Sequence, residues 1–320
     1  MYNRWKKKGI LVPKDKNIPW LFAGSGPACV DVSTLDKKGN VDIYVSGRNK
    51  NNQSEIGKIN INIERNQINN LKSNSEIELG DLGLFDYSGT SYPHLVEFGG
   101  GVKYLYYTGW FLGKDVPFIN DLGLATSIDN QFKKYSKATI LPRTNNEPYG
   151  NGSVFVMRES PELWKIWYTC FERWGESESD EKHYYHIKYA ESKDGINWNR
   201  LNKVAVSFNI DKGEYVAAKP AVIKYKDYYF MWYSYRGLSY RIGFAYSIDG
   251  INWNRKDKWV GIDCSETGWD SEMICYAHVF IYNLKLVMLY NGNGFGKDGL
   301  GIATIQLSYL DEVISMIKNE

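Results

Sequence analysis

A weak internal repeat limits what this chain can fold into more than any other feature. Aromatic-rich runs ending in a small polar residue occur at Val41 to Arg48 (VDIYVSGR), Lys103 to Trp110 (KYLYYTGW), Trp164 to Phe171 (WKIWYTCF), Tyr228 to Arg236 (YYFMWYSYR) and Lys285 to Gly294 (KLVMLYNGNG). Aligned on Ser46, Thr108, Thr169, Ser234 and Asn291, they recur at roughly 60 residues, a spacing that belongs to solenoids, propellers or arrays. A short strand-like run, often opened by proline, precedes each copy, starting at Pro27, Pro93, Ser153, Pro220 and His278. A run of small residues follows each one: EIGKINI, DLGLATS, HIKYAES, RIGFAYS and GLGIATI. Two copies continue as Ser192-Lys-Asp194-Gly195-Ile-Asn-Trp198 and Ser247-Ile-Asp249-Gly250-Ile-Asn-Trp253, with a degenerate copy at Ser127-Ile-Asp129-Asn130. An Asp-Gly pair between strand-like runs is a tight hairpin, because glycine takes positive φ freely.

These units predict an all-β chain: a five-bladed β-propeller with four antiparallel strands per blade. The blades fall near 20–80, 81–140, 141–205, 206–262 and 263–306. A solenoid of the same units would leave sheet edges open. Helical periodicity appears only from Leu307, giving a short C-terminal helix over 307–320. No linker separates the copies, so 1–320 reads as one domain.

Charge is nearly balanced, with Lys+Arg 39 against Asp+Glu 37 and a net charge of +2. That argues against nucleic acid and anionic lipid as partners, since both need a broad basic field. Lys6-Lys7-Lys8 reads as a solvated N-terminal arm. No apolar run approaches the ~20 residues of a membrane span, and no signal-peptide stretch follows the N-terminus. Cys29, Cys170, Cys264 and Cys275 lack CxxC or metal-ligand spacing and read as buried small hydrophobes in a reducing compartment. The expectation is a cytoplasmic protein without cofactor or metal, its oligomeric state undetermined. The 25 Tyr, 11 Trp and 13 Phe supply core, and any of them at a cleft can stack on sugar rings.

In a propeller the first strand of each blade lines the axis, so the loops approaching it gather around one funnel. Those loops carry Asp86, Glu147, Glu214, Asp270 and Glu272, each with aromatics beside it. Asp86, Glu147, Asp270 and Glu272 are therefore the catalytic candidates, since glycoside cleavage needs one carboxyl to give a proton and another to activate water or attack carbon. The plainer reading of any one of them is a turn or cap residue. Tyr92, His94, Glu214 and Lys219 on or beside the first strands are candidate substrate contacts, as are Arg48, Trp110, Arg236, Asn291 and Asn293 after the second. Arg48 or Arg236 fits a carboxylate or phosphate, or else a surface ion pair. Of His94, His183, His186 and His278, the first and last approach the axis, more simply as core hydrogen-bonders than as metal ligands. The glycine-rich Gly292 to Gly296 lacks the strand-to-helix setting of a phosphate loop and reads as a hairpin.

With the YYT, WYT and WYS strands, the S-x-D-G-I-N-W-N-R tails and the FDYSG loop, the chain resembles the five-bladed propeller glycosidase superfamily, both its arabinanase and β-xylosidase group and its invertase and levansucrase group. Segments such as GWDSEMICY and LYNGNGFG resemble uncharacterised bacterial members associated with surface-polysaccharide genes. The resemblance implies a carbohydrate or nucleotide-sugar ligand. It also implies an aspartate before the first-strand proline of the first two blades, where this sequence has Gly26 and Tyr92, and a glutamate acid in the third, matched nearest by Glu147. The Asp-Gly tails resemble the Asp-box of sialidases, a structural turn, one residue short.

Three functions follow as expectations. The first is a glycoside hydrolase-like enzyme cutting a glycosidic or sugar-phosphate bond by carboxylate acid/base chemistry. The second is a glycosyltransferase or phosphorylase, since a phosphate nucleophile needs no enzymic base. The third is a sugar-binding propeller without catalysis.

Overall fold

The computed structural model describes residues 4–129, 131–175, 180 and 182–320. It is built almost wholly of antiparallel strands. β1 (Lys6–Pro13) opens the chain. β2 (Gly24–Asp31), β3 (Asn40–Arg48), β4 (Ser54–Asn62) and β5 (Gln67–Ser75) then pair in sequence order as a meander. The pattern repeats in β6 (Gly89–Glu97), β7 (Lys103–Phe111), β8 (Ile119–Ser127) and β9 (Lys133–Lys134), and in β10 (Asn151–Ser160), β11 (Leu163–Trp174), β12 (His183–Ser192) and β13 (Trp198–Val206). It repeats once more in β14 (Val216–Tyr225), β15 (Tyr228–Arg236), β16 (Tyr240–Ser247) and β17 (Asn254–Arg255).

The last unit has β18 (Cys275–Tyr282), β19 (Lys285–Asn291) and β20 (Gly299–Gln306), and its fourth strand is β1, paired from Lys6↔Thr304 to Pro13↔Gly299 with register shifts between Lys7 and Val12. This corrects the reading of Lys6-Lys7-Lys8 as a solvated arm. The edge of β20 needs a partner, and joining the two ends of the chain in one sheet removes it.

First strands touch in the cyclic order β2, β6, β10, β14, β18 and back to β2. The repeat column explains how neighbours are held. The hydroxyl of Ser46 accepts from Tyr92 N–H (2.9 Å), Thr108 from Ser153 N–H (2.8 Å), Thr169 from Lys219 N–H (3.2 Å) and Ser234 from Tyr276 N–H (2.8 Å). Asn291, the last member of the column, closes the cycle by donating from Nδ2 to Ser25 O (2.8 Å). In the first four the acceptor sits on the second strand of one unit and the donor on the first strand of the next, and at Asn291 the second-strand side chain donates instead, so the polar end of every aromatic run is an inter-sheet staple.

The aromatic runs make a second set of ties. Tyr106 OH donates to Gly195 O and Trp167 Nε1 to Gly250 O, both at 2.8 Å, reaching the Asp-Gly turn of the following unit. In those turns Gly195 and Gly250 take φ 75 and 76, while Asp194 Oδ1 and Asp249 Oδ1 each accept two backbone N–H groups. The turn hydrogen bonds overcome burial to lower the pKa of Asp194 to about 2. Between sheets the core is apolar, with Trp20, Trp167 and Trp232 almost fully buried. The terminal helix, Ser308–Lys318, buries Tyr309, Leu310, Val313 and Ile314. Among the described residues no helix is long and apolar enough to cross a membrane.

Candidate functional site

Near its N-terminal end every first strand is interrupted by a bulge, between Ser25 and Ala28, Ser91 and His94, Gly152 and Val154, Ala218 and Ala221, and Cys275 and His278. Tyr92, Ser153, Lys219 and Tyr276 in these bulges adopt left-handed φ of 50, 22, 52 and 60. Such backbone costs about 1–3 kcal/mol per residue and persists only where the surroundings hold it, here by the staples. The bulges turn Gly26, Tyr92, Ser153, Lys219 and Tyr276 onto a cavity of about 640 Å³.

The walls are aromatic and cationic. Trp110, Phe118, Phe171, Tyr185, Tyr240 and Phe295 join Tyr92 and Tyr276 in the lining. The Tyr92 and Tyr276 rings meet edge to face at 5.2 Å, Tyr240 lies 5.7 Å from Tyr276, and the Tyr185 and Tyr240 hydroxyls approach to 3.4 Å. Burial pushes Tyr92 up to about 12 and raises the other three phenols as well. They stay protonated and can donate hydrogen bonds to a ligand.

Arg48, Lys219, Arg236 and Lys297 also line the cavity, and none of them forms an ion pair with an acid among the described residues. Arg48 lies over Trp110 (5.0 Å), and Arg236 over Tyr215 (5.4 Å) and Tyr240 (5.3 Å). Among the described residues the amine of Lys219 has no hydrogen-bond partner, and burial lowers its pKa to about 8. No carboxylate lines the cavity among the described residues.

That overturns the expected ring of acids, because the approach loops turn their carboxyls outward into the sheets. Asp86 pairs with Lys134 (2.6 Å) and accepts from Tyr107 OH (2.9 Å). Glu147 meets Lys188 (3.1 Å), Arg200 (3.0 Å) and Tyr168 OH (2.8 Å). Asp270 meets Lys7 (2.7 Å) and Tyr290 OH (2.8 Å). Glu214 is gripped by Arg255 at 2.7 and 2.9 Å and accepts from Asn209 N–H. The shared device is an acid pinned by a second-strand tyrosine or an outer-strand cation, which anchors the loop. Glu272 is exposed and offers the loop only its backbone, to Asn293 and Arg241.

Other expected contacts also lie elsewhere. Asn293 ties loops together through Gly268, Glu272 and Met273, and Asn291 is the staple described above. His94 is buried outside the lining, donating from Nε2 to Val156 O (2.8 Å), and His278 Nε2 accepts from Val30 N–H (3.2 Å). Burial lowers His94 to about 3 and His278 well below its ordinary value, so both rings are neutral. Among the described residues no group of three or more His, Cys, Asp or Glu side chains could hold a metal ion.

Of the residues nominated from sequence, the structure brings together Arg48, Tyr92, Trp110, Lys219 and Arg236. It adds Ser153, His183, Tyr185, Tyr240, Tyr276, Phe295 and Lys297, which sequence reasoning missed. Proline marks the bulge at Tyr92 and Lys219, but Ser153 and Tyr276 precede Val154 and Ala277 and carry no such flag.

No family model matches the sequence. Two uncharacterized proteins of Mycobacterium tuberculosis, MT1551 and Rv1502, are each 31% identical to it over 304 residues, covering 94% of this chain and 99% of theirs. Among solved structures, a glycoside hydrolase is similar with TM-score 0.71 at 16% identity, covering 93% of this chain and 91% of its own. The catalytic domain of a GH62 α-L-arabinofuranosidase from Coprinopsis cinerea gives 0.64 at 13% identity, covering 95% and 97%. A thermostable family-43 glycoside hydrolase gives 0.61 at 15% identity, covering 88% of both. The fold is that of the β-propeller glycosidases.

Proposed function

Because this chain belongs to the family of the two mycobacterial proteins and has the fold of the propeller glycosidases, we propose that it is a five-bladed propeller enzyme acting on an acidic carbohydrate in the central cavity. The bond broken is a sugar-phosphate bond, and the sugar moves to an acceptor or to water. One observation carries this reading: Arg48, Lys219, Arg236 and Lys297 line the cavity, and among the described residues no acid neutralises them and no lining residue is a carboxylate.

Hydrolysis of an ordinary glycoside needs a proton donor for the departing alcohol and a carboxylate to activate water or capture the anomeric carbon. A phosphate leaves as a stable anion and needs no proton. What it needs is preorganised positive charge where its own charge grows, and guanidinium groups over aromatic faces provide that. The tyrosine and tryptophan faces supply the apolar surface on which a sugar ring stacks, and the phenols supply donors for its hydroxyls.

The test is calorimetric titration with matched ligands, glucose 1-phosphate, glucuronic acid and glucose, followed by product analysis with glycosyl phosphates. Acidic sugars should bind at least tenfold more tightly than glucose, and Arg236→Met should lose about tenfold in that affinity, the worth of one charge-assisted hydrogen bond. Equal binding of neutral and acidic sugars would sink the reading.

A further inference from the structure

The four cavity cations are not equivalent. The two arginines rest on aromatic faces, and Lys297 stands in solvent. Lys219 is only 1% exposed, and among the described residues its Nζ has neither hydrogen-bond partner nor counter-ion. Its charge is felt by the Cys29 thiol and by the His94 and His278 rings, and none of these is an anion. Its backbone is left-handed, braced by Pro220 and by the Thr169 hydroxyl.

Resting on the reading of the cavity above, we propose that Lys219 is a ligand-binding residue, whose amine swings from the cavity floor to donate to an oxyanion, phosphate or carboxylate, of the bound molecule.

Buried lysines that serve the fold of this protein have partners. Lys103 holds Asp31 at 2.6 Å, and Lys188 holds Glu147 at 3.1 Å and Asn202 at 2.9 Å. An ammonium buried without a partner costs stability, and among the described residues no acid offsets that cost at Lys219. The flexible four-carbon stem lets the amine reach upward, and the bulge places its Cα on the cavity wall. A ligand that brings the missing anion removes the penalty and gains a charge-assisted hydrogen bond. Stability forgone at a binding residue is recovered when that residue is made apolar.

The experiment pairs Lys219→Met with thermal denaturation and with titrations of inorganic phosphate, glucose 1-phosphate, glucuronic acid and glucose. Methionine should raise Tm by a few degrees, weaken the acidic probes at least tenfold and leave glucose unchanged. A larger loss for glucose 1-phosphate than for glucuronic acid assigns the oxyanion to a phosphate, and the reverse assigns it to a carboxylate. A lower Tm with unaltered binding would overturn the inference by making Lys219 a structural residue. If Arg236→Met loses acidic sugars while Lys219→Met keeps them, the inference fails and the reading of the cavity survives. If no sugar binds but inorganic phosphate does, and depends on Lys219, the carbohydrate reading fails and the anion site stands.

Discussion

In the approach loops Asp86, Glu147, Glu214 and Asp270 are buried and each meets a cation within 3.1 Å, whereas in the cavity Arg48, Lys219, Arg236 and Lys297 meet no acid among the described residues. Glu214 of the loops and Lys219 of the cavity are near neighbours in sequence, yet only the first is paired. In the loops charge is cancelled internally and holds the chain down. In the cavity it is left over, and uncancelled charge in a partly dry site is an invitation to a ligand of opposite sign.

Breaking the compensated side should cost the most stability. Glu147→Gln leaves the buried Lys188 and the half-buried Arg200 without their anion, a loss of about 3–5 kcal/mol in chemical denaturation. Per folded molecule, the variant should bind acidic sugars as before, because Glu147 does not face the cavity.

Acid pH reaches the same stability from the axis. His94 and His278 are neutral and depressed in the folded protein, whereas unfolded histidine titrates near 6.5. Their contribution is complete above about pH 6.5 and is lost below it, as the unfolded state binds protons that the folded state refuses. The unfolding free energy should fall between pH 6.5 and 4, by up to about 1.4 kcal/mol per pH unit for each ring. His94→Phe should flatten that slope.

The staples are a smaller target. Ser234→Ala removes the acceptor of Tyr276 N–H and should cost about 1–3 kcal/mol, the penalty of an unsatisfied buried donor. Because Tyr276 sits in the cavity wall, ligand affinity should fall with it.

Much of the fold was legible in the sequence because the repeat column has one chemical job. A small hydroxyl at Ser46, Thr108, Thr169 or Ser234 is needed wherever one sheet must grip the bulge of the next, and its spacing survives when the surrounding residues vary. The Asp-Gly turns were readable for a similar reason, since their geometry is local. The strand at Lys6–Pro13 was not, because its partner β20 lies at the other end of the chain and three lysines mask its pattern. In the candidate site, Arg48, Tyr92, Lys219 and Arg236 were within reach because strand ends and prolines mark them. The acids were misplaced because a loop has no periodicity: sequence places Glu147 near the first strand but cannot say whether its carboxyl turns toward the axis or toward Lys188 and Arg200.

Gly26 offers the sharpest contrast with the smallest structural disturbance. A Cβ added there would meet only Ser46, at an ordinary 3.5 Å, so Gly26→Asp should change stability by less than about 1 kcal/mol. It would place a carboxylate among the unpaired cations, cancelling in the cavity what is already cancelled in the loops. The most direct measurement is therefore the affinity of glucose 1-phosphate and of glucose for the native protein and for Gly26→Asp, by calorimetry in one buffer. A surplus of positive charge predicts that the aspartate weakens the phosphate sugar about tenfold or more and leaves glucose within twofold. Equal affinities for both sugars in the native protein, unmoved by the added acid, would contradict it.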